Sequence, residues 1–315
     1  MEQILATVLP VFGLIVLGYA SVRVGLIRKT AGEGLGQYVF TLGLPALLFR
    51  TMVEVKPPEG APLGLWGTYF GAVIIVWLAT VIAARVLRVL PGEDATAAAM
   101  AAGFSNLLML GLPIIYGHYG PEATLAAALI ISIHAPLQWM GATLAMEWQR
   151  SAHQVNLGRL FWNLGRDLIR NPIVFGLVAG SLWRISGFGL PGVMHSMLTM
   201  VADSSVPAAL VALGFTLATL PLAGEIGAAA LIVALKMLVM PAACFLLGHY
   251  VFDLPPLWTA VAVIFGSLPG GANAYLFATR YEAAVAPVSA SIAMGTALAA
   301  ITAPLLLWLL DNFLL

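Results

Sequence analysis

The sequence predicts an all-α integral membrane protein of ten transmembrane helices, arranged as two inverted five-helix repeats, with helices 4 and 9 broken. Three observations predict it. The 315 residues are 61% hydrophobic and only 9% charged, where soluble domains average about 25% charged. The apolar residues gather into ten stretches of roughly 20, the length that crosses a bilayer core. Two of those stretches are interrupted, at matching places in the two halves, by glycine, proline and amide or hydroxyl side chains.

The ten candidate spans are 4–24, 34–53, 64–88, 96–117, 123–147, 171–188, 193–220, 226–251, 257–281 and 287–311. The chain opens Met1-Glu2-Gln3-Ile4, without the basic region of a cleavable signal, so its first apolar stretch is read as a span. Connections after the odd spans carry Arg23, Arg28, Lys29, Arg85, Arg88, Arg150, Arg159, Arg166, Arg170 and Arg280, whereas those after the even spans carry Arg50, Lys56 and Arg184. Ten basic residues against three orient the chain by the positive-inside rule. A multi-pass protein of the cell (inner) membrane is expected, with both termini on the extracytoplasmic side.

The longest connection is read as an amphipathic helix on the cytoplasmic surface. Val155, Leu157, Leu160, Phe161, Leu164 and Leu168 form one apolar face. The chain then divides into a first repeat over 1–148, a connector over 149–170 and a second repeat over 171–315. A shared offset supports the repeat: Gly18, Pro45, Ser105 and Tyr119 recur 162 residues later as Gly180, Pro207, Ser267 and Tyr281. Val11-Phe12-Gly13-Leu14 also recurs as Val174-Phe175-Gly176-Leu177, one residue out of step. Five is odd, so the second repeat enters the membrane upside down relative to the first.

The first interruption runs from Gly103-Phe104-Ser105-Asn106 to Gly111-Leu112-Pro113, and the second is Ser267-Leu268-Pro269-Gly270-Gly271-Ala272-Asn273. A helix broken at membrane depth survives only where protein or water shelters its freed backbone groups. In membrane carriers, such a pair of broken segments marks the substrate site. Asn106 and Asn273 are the leading candidates, because each carboxamide offers two donors and an acceptor without a permanent charge. The N–H groups freed at a half-helix start add a positive dipole end suited to an anion. Ser105, Pro269, Gly270 and Gly271 shape the breaks and let a ligand approach the backbone.

Asp203 and Lys236 are the charges deepest in their spans, each ~15 Å from the nearer face at 1.5 Å per residue. Ionisable groups at that depth are candidates for proton coupling or for offsetting a substrate's charge. The structural alternatives are a mutual ion pair, or Asp203 bonding local backbone N–H groups near Pro207. His134 and Gln138 share a helical face of span five and could line the cavity, or His134 could simply be packed.

The order and spacing of four motifs resemble the auxin efflux carrier family, in particular its compact prokaryotic members. They are Phe40-Thr41-Leu42-Gly43-Leu44-Pro45-Ala46-Leu47-Leu48-Phe49, then Asn106 with Gly111-Leu112-Pro113, then Leu235-Lys236-Met237-Leu238-Val239-Met240-Pro241, then Leu268-Pro269-Gly270-Gly271-Ala272-Asn273-Ala274. The resemblance implies that unwound spans four and nine cross near the substrate. It further implies a scaffold of spans one, two, six and seven, a mobile transport part made of the rest, an elevator-like movement and a homodimer. Plant members tend to carry proline immediately before the span-four asparagine, where this chain has Ser105. The span-four break is therefore expected to rest on Gly103, Ser105, Gly111 and Pro113. The chain also lacks the long hydrophilic loop of many plant members, so plant-type phosphoregulation is not expected.

A secondary carrier of small organic anions or weak acids by alternating access is the expectation. The alternatives are a non-transporting ligand receptor on a carrier fold and a membrane-embedded enzyme. No paired-carboxylate motif, Gly-x-Ser-x-Gly elbow or His-Glu-x-x-His helix is present, so no enzyme and no catalytic residue are expected. The absence of a Walker motif excludes ATP as a driving ligand by that route. The single Cys244 reads as a buried small hydrophobe, and neither cysteine nor histidine spacing suggests a metal site. No cofactor is expected, with coupling to H⁺ or Na⁺ left open, and zero net charge gives no footprint for nucleic acid.

Overall fold

The computed structural model describes residues 2–28, 30–54, 62–150, 157–221 and 226–315. Lys29, Lys56 and Val155 lie outside the described residues. Among the described residues the chain is helical, with no strand beyond one isolated bridge. The helices are α1 (Glu2–Arg23), α2 (Ala31–Tyr38), α3 (Leu44–Glu54), α4 (Leu63–Leu87), α5 (Glu93–Gly103), α6 (Leu112–Arg150) and α7 (Leu157–Ile169). They continue as α8 (Pro172–Ser186), α9 (Gly192–Thr219), α10 (Ile226–Ala234), α11 (Met240–Leu246), α12 (Pro256–Ser267), α13 (Ala272–Tyr281) and α14 (Val285–Phe313).

Six described segments are long and apolar enough to cross a membrane: Ile4–Arg23, Leu63–Leu87, Leu107–Arg150, Gly192–Thr219, Ile226–Val251 and Val285–Phe313. The other apolar stretches are built from shorter pieces, such as α2 with α3 and α12 with α13. Leu107–Arg150 runs through two of the expected spans, and its one non-helical residue is Gly120, at φ 75°. A left-handed φ suits glycine, so the chain bends there while the helix resumes on both sides.

Wide π-type turns occupy Val39–Gly43, Leu107–Gly111 and Leu235–Val239, and each is followed two residues later by a proline, Pro45, Pro113 or Pro241. Proline cannot donate to the carbonyl four residues back, and its ring crowds that carbonyl. Widening the preceding turn relieves the clash and lets the helix continue. Gly111 and Pro113 therefore belong to a resumed helix and not to the span-four break, which is confined to Phe104–Asn106.

The chain forms two compact units that cut across its two halves. The first comprises Met1–Ala61, Leu108–Ser132 and Leu168–Thr219, hence α1–α3, the first part of α6, α8 and α9. Within it α1 packs on α9 and α3 on α8, with glycines at the closest points. A Cβ on Gly180 would stand 2.6 Å from the Phe49 carbonyl oxygen, and one on Gly18 would overlap the Val211 carbonyl oxygen. The two contacts are related by the sequence offset, since Gly180 follows Gly18 by 162 residues and Val211 follows Phe49 by 162. Gly43 packs against Ser205, also 162 residues on, where an added Cβ would stand 2.7 Å from the serine Cβ.

The second unit comprises Pro62–Leu107, Ile133–Asp167 and Leu220–Leu315. Its centre is the pair of half-helices α5 and α12. Every residue from Ala95 to Gly103 and from Trp258 to Ser267 is buried, and alanine dominates α5. Small side chains are what allow a helix to be enclosed on all sides at close range. At one end of this unit Arg150 clasps α5 to α13. Its Nε donates to Glu93 at 2.9 Å and its Nη2 to the Tyr281 carbonyl at 2.7 Å. The Asp94 carboxylate accepts the Ala284 N–H at 2.6 Å, holding a turn in which Glu282 and Ala284 both have positive φ. The hydrogen bonds from Arg150 hold the Glu93 carboxyl below its ordinary range. The α7 helix exposes Phe161, Trp162 and Ile169, of which only Phe161 lies on the apolar face read from sequence.

Candidate functional site

The α5 helix ends at Gly103, and Phe104 leaves it in an extended conformation, φ −86° and ψ 115°. The α12 helix ends at Ser267, and Leu268 is extended at φ −71° and ψ 151°, as the residue before a proline is driven to be. These two extended segments pair. Ser105 and Gly270 form an antiparallel bridge, and the Asn106 N–H donates to the Pro269 carbonyl at 3.0 Å. Each break thereby satisfies part of the backbone that the other leaves open.

The glycines suit this closeness. A Cβ on Gly271 would stand 3.2 Å from the Phe104 ring and 3.5 Å from the Asn106 Cα. One on Gly270 would stand 3.3 Å from Ile292 and 3.4 Å from the Ala101 carbonyl oxygen. Beside Gly270, the space walled by Ile232, Lys236, Met237, Pro269 and Gly295 is too tight for a water molecule.

Three groups from separate elements converge on the span-four break. The Ser105 hydroxyl accepts from the Tyr69 hydroxyl of α4 at 2.9 Å and from the Lys236 ammonium of the wide turn before α11. Lys236 also lies 2.8 Å from the Met240 sulfur. Tyr69 is fully buried and Lys236 is 2% exposed. No carboxylate pairs with Lys236 among the described residues, so the ammonium is held by a neutral hydroxyl and a thioether alone.

From α6, the Gln138 Nε2 donates to the Gly103 carbonyl at 3.0 Å, capping the half-helix end. That bond fixes the amide nitrogen as the atom 3.2 Å from His134 Nδ1, so Nδ1 accepts and Nε2 carries the proton. The His134 Nε2 is buried and makes no hydrogen bond of good geometry among the described residues. Its ring packs against Phe104, with centroids 4.4 Å apart, and against Tyr69 at 5.6 Å.

The carboxamides of Asn106, which is 7% exposed, and of the half-buried Asn273 make no hydrogen bond among the described residues. Asn273 stands in the first turn of α13, whose N-terminus at Gly271 has no side-chain cap. Two free amides and an uncapped helix start thus accompany a lysine without a counter-charge.

Of the residues singled out from sequence, Ser105, Asn106, His134, Gln138, Lys236, Pro269, Gly270, Gly271 and Asn273 all belong to the second unit. Asp203 belongs to the first, where its carboxylate accepts from Arg50 Nη1 at 2.9 Å, and Arg50 Nη2 donates to the Tyr116 hydroxyl at 3.0 Å. Arg50, counted above as a loop charge, is 9% exposed. Its position directly after Leu47-Leu48-Phe49 in an apolar run was the available signal. Tyr69 was missed as well, although a tyrosine inside an apolar span needs a partner for its hydroxyl. No group of three or more His, Cys, Asp or Glu is placed to hold a metal ion among the described residues.

Long apolar helices, with half-helices meeting at a polar crossing beside a buried lysine, define a multi-pass membrane protein. The chain belongs to the membrane transport protein family, that of the auxin efflux carriers, whose profile matches residues 3–307. It is 27% identical to a Rhizobium meliloti protein named "Putative malonate transporter", over 99% of this chain and 97% of that one. It is 22% identical to auxin efflux carrier component 8 of Arabidopsis thaliana, over 98% of each chain. It is 25% identical to the lysosomal cholesterol signaling protein of Mus musculus, over 98% of this chain but only 37% of that longer protein.

Proposed function

We propose that this protein is a secondary carrier of small organic anions, which it binds where the unwound parts of spans four and nine cross. The observation that carries the reading is the crossing itself: paired backbone at Ser105 and Gly270, flanked by the unpartnered carboxamides of Asn106 and Asn273. The amides and the start of α13 would hold a carboxylate, and Lys236 would offset its charge. A small dicarboxylate such as malonate is the first substrate to test, given the name of one relative.

Alternating access would be of the elevator type. Support comes from the whole crossing lying in one compact unit, which could carry its substrate as a body. The ten-span, inverted-repeat arrangement is supported by the contacts Gly18–Val211 and Gly180–Phe49, which exchange under the 162-residue offset. A homodimer in the inner membrane, with both termini outside, completes the proposal. A receptor that binds without transporting is the second reading, favoured by the relative named for signalling. Saturable counterflow of labelled malonate and related acids in proteoliposomes tests the carrier. Binding without counterflow would leave the receptor.

A further inference from the structure

A second recessed surface of the same unit has no part in the crossing. It is a groove of about 1,010 Å³ between the end of α4, the start of α5 and the last turns of α6. That is the upper end of the ~300–1,000 Å³ usual for small-ligand pockets. Trp77, Val81, Leu144 and Trp148 make its wall, and Arg85 and Arg88 stand on it at the end of α4. Arginines at a helix C-terminus suit the helix dipole without any ligand. Here, however, neither guanidinium has a carboxylate partner among the described residues, although two acids follow within six residues of Arg88. Glu93 is taken by Arg150 and Asp94 by the Ala284 N–H, while the neighbouring Ala95 and Thr96 face the groove. The adjoining segment thus leaves two free cations above an apolar trough edged by tryptophan.

We propose that this groove binds an anionic glycerophospholipid, with its phosphate between Arg85 and Arg88 and an acyl chain along the Trp77–Val81–Leu144 wall. Arginine matches phosphate with paired N–H donors, and basic pockets between transmembrane helices are suited to anionic headgroups. Tryptophan at the rim fits the headgroup level of a bilayer. An apolar wall of this size gives a small soluble anion nothing to bind, so the lipid is the occupant that uses both parts of the surface.

The test is lipid retention by the purified full chain, delipidated in detergent and titrated with phosphatidylglycerol, phosphatidylcholine or inorganic phosphate, read by native mass spectrometry. Phosphatidylglycerol should bind about tenfold or more tightly than phosphatidylcholine, a preference that Arg85→Gln/Arg88→Gln removes. A second variant, Gly141→Leu, fills the groove without altering its charge, since a Cβ there meets nothing within 4 Å. It should also lose the lipid while keeping the parent's elution volume and unfolding midpoint. Equal retention of the two phospholipids would overturn the proposal. So would Gly141→Leu protein that binds phosphatidylglycerol like the parent, because the arginines would then act as plain surface charge. The readout is independent of transport, so a failed carrier assay leaves it unaffected.

Discussion

The backbone N–H of Asn106 donates to the carbonyl of Pro269 at 3.0 Å, so the residue that ends one break is tied to the proline that makes the other. The bond leaves the Asn106 carboxamide unspent. Backbone holds the crossing together, and the Asn106 carboxamide takes no part in it.

The Ser105 hydroxyl is the shared acceptor for Tyr69 and Lys236. Ser105→Ala should cost about 1–3 kcal/mol, because it strands buried donors. Tyr69→Phe removes one of the two donors with its bond and should cost less. Unfolding midpoints of the purified variants check the order, and an Ala variant as stable as the parent would contradict it.

Gly180→Val should destabilise the first unit by about 1–3 kcal/mol or more, since its Cβ would press on the backbone of Phe49. Gly141→Val, where an added Cβ meets open space, is the matched control. Comparable midpoints for the two would show that the close α3–α8 contact is not limiting.

The clasp between Glu93 and Arg150 carries a pH signature. Because the guanidinium depresses the Glu93 carboxyl, the pair stabilises the protein above the ordinary carboxylate range and is lost as the pH falls through the depressed value. The midpoint difference between parent and Glu93→Gln should be full at pH 7 and shrink as the pH drops below about 4.3. A difference that is flat across this range would count against the clasp.

Asp203 is 58% exposed at its side chain while its partner Arg50 is 11% exposed. Asp203→Asn should therefore cost more than the ~1 kcal/mol of a surface pair but less than the ~3–5 kcal/mol of a fully buried one. Transport at several pH values separates this structural role from proton coupling. An altered pH profile at unchanged stability would assign Asp203 to coupling instead.

Much of this architecture is legible in the sequence, because lipid punishes irregular backbone. Pro269-Gly270-Gly271 cannot continue a helix, and the α12 helix ends at Ser267 just before it. The span-four break is less plainly written. Gly111 and Pro113 look like its far edge, yet a wide turn absorbs Pro113 and the helix resumes at Leu107. What the sequence hides is long-range. The Lys236–Ser105 contact joins residues 131 positions apart, and the Arg50–Asp203 pair joins residues 153 apart. Neither pairing follows from periodicity or composition. Periodicity and composition do not give the division into units either, since each gathers segments from both halves of the chain.

The central claim is that a small organic anion is held by Asn106 and Asn273 at the crossing. Its most direct test is a thermal-shift titration of the purified protein with a panel of organic acids, malonate included, repeated on Asn106→Ala and Asn273→Ala. An acid that stabilises the parent should lose about 1–3 kcal/mol of binding free energy in each variant, roughly a 5- to 150-fold weakening. If the same acid stabilises both variants as strongly as the parent, the site lies elsewhere.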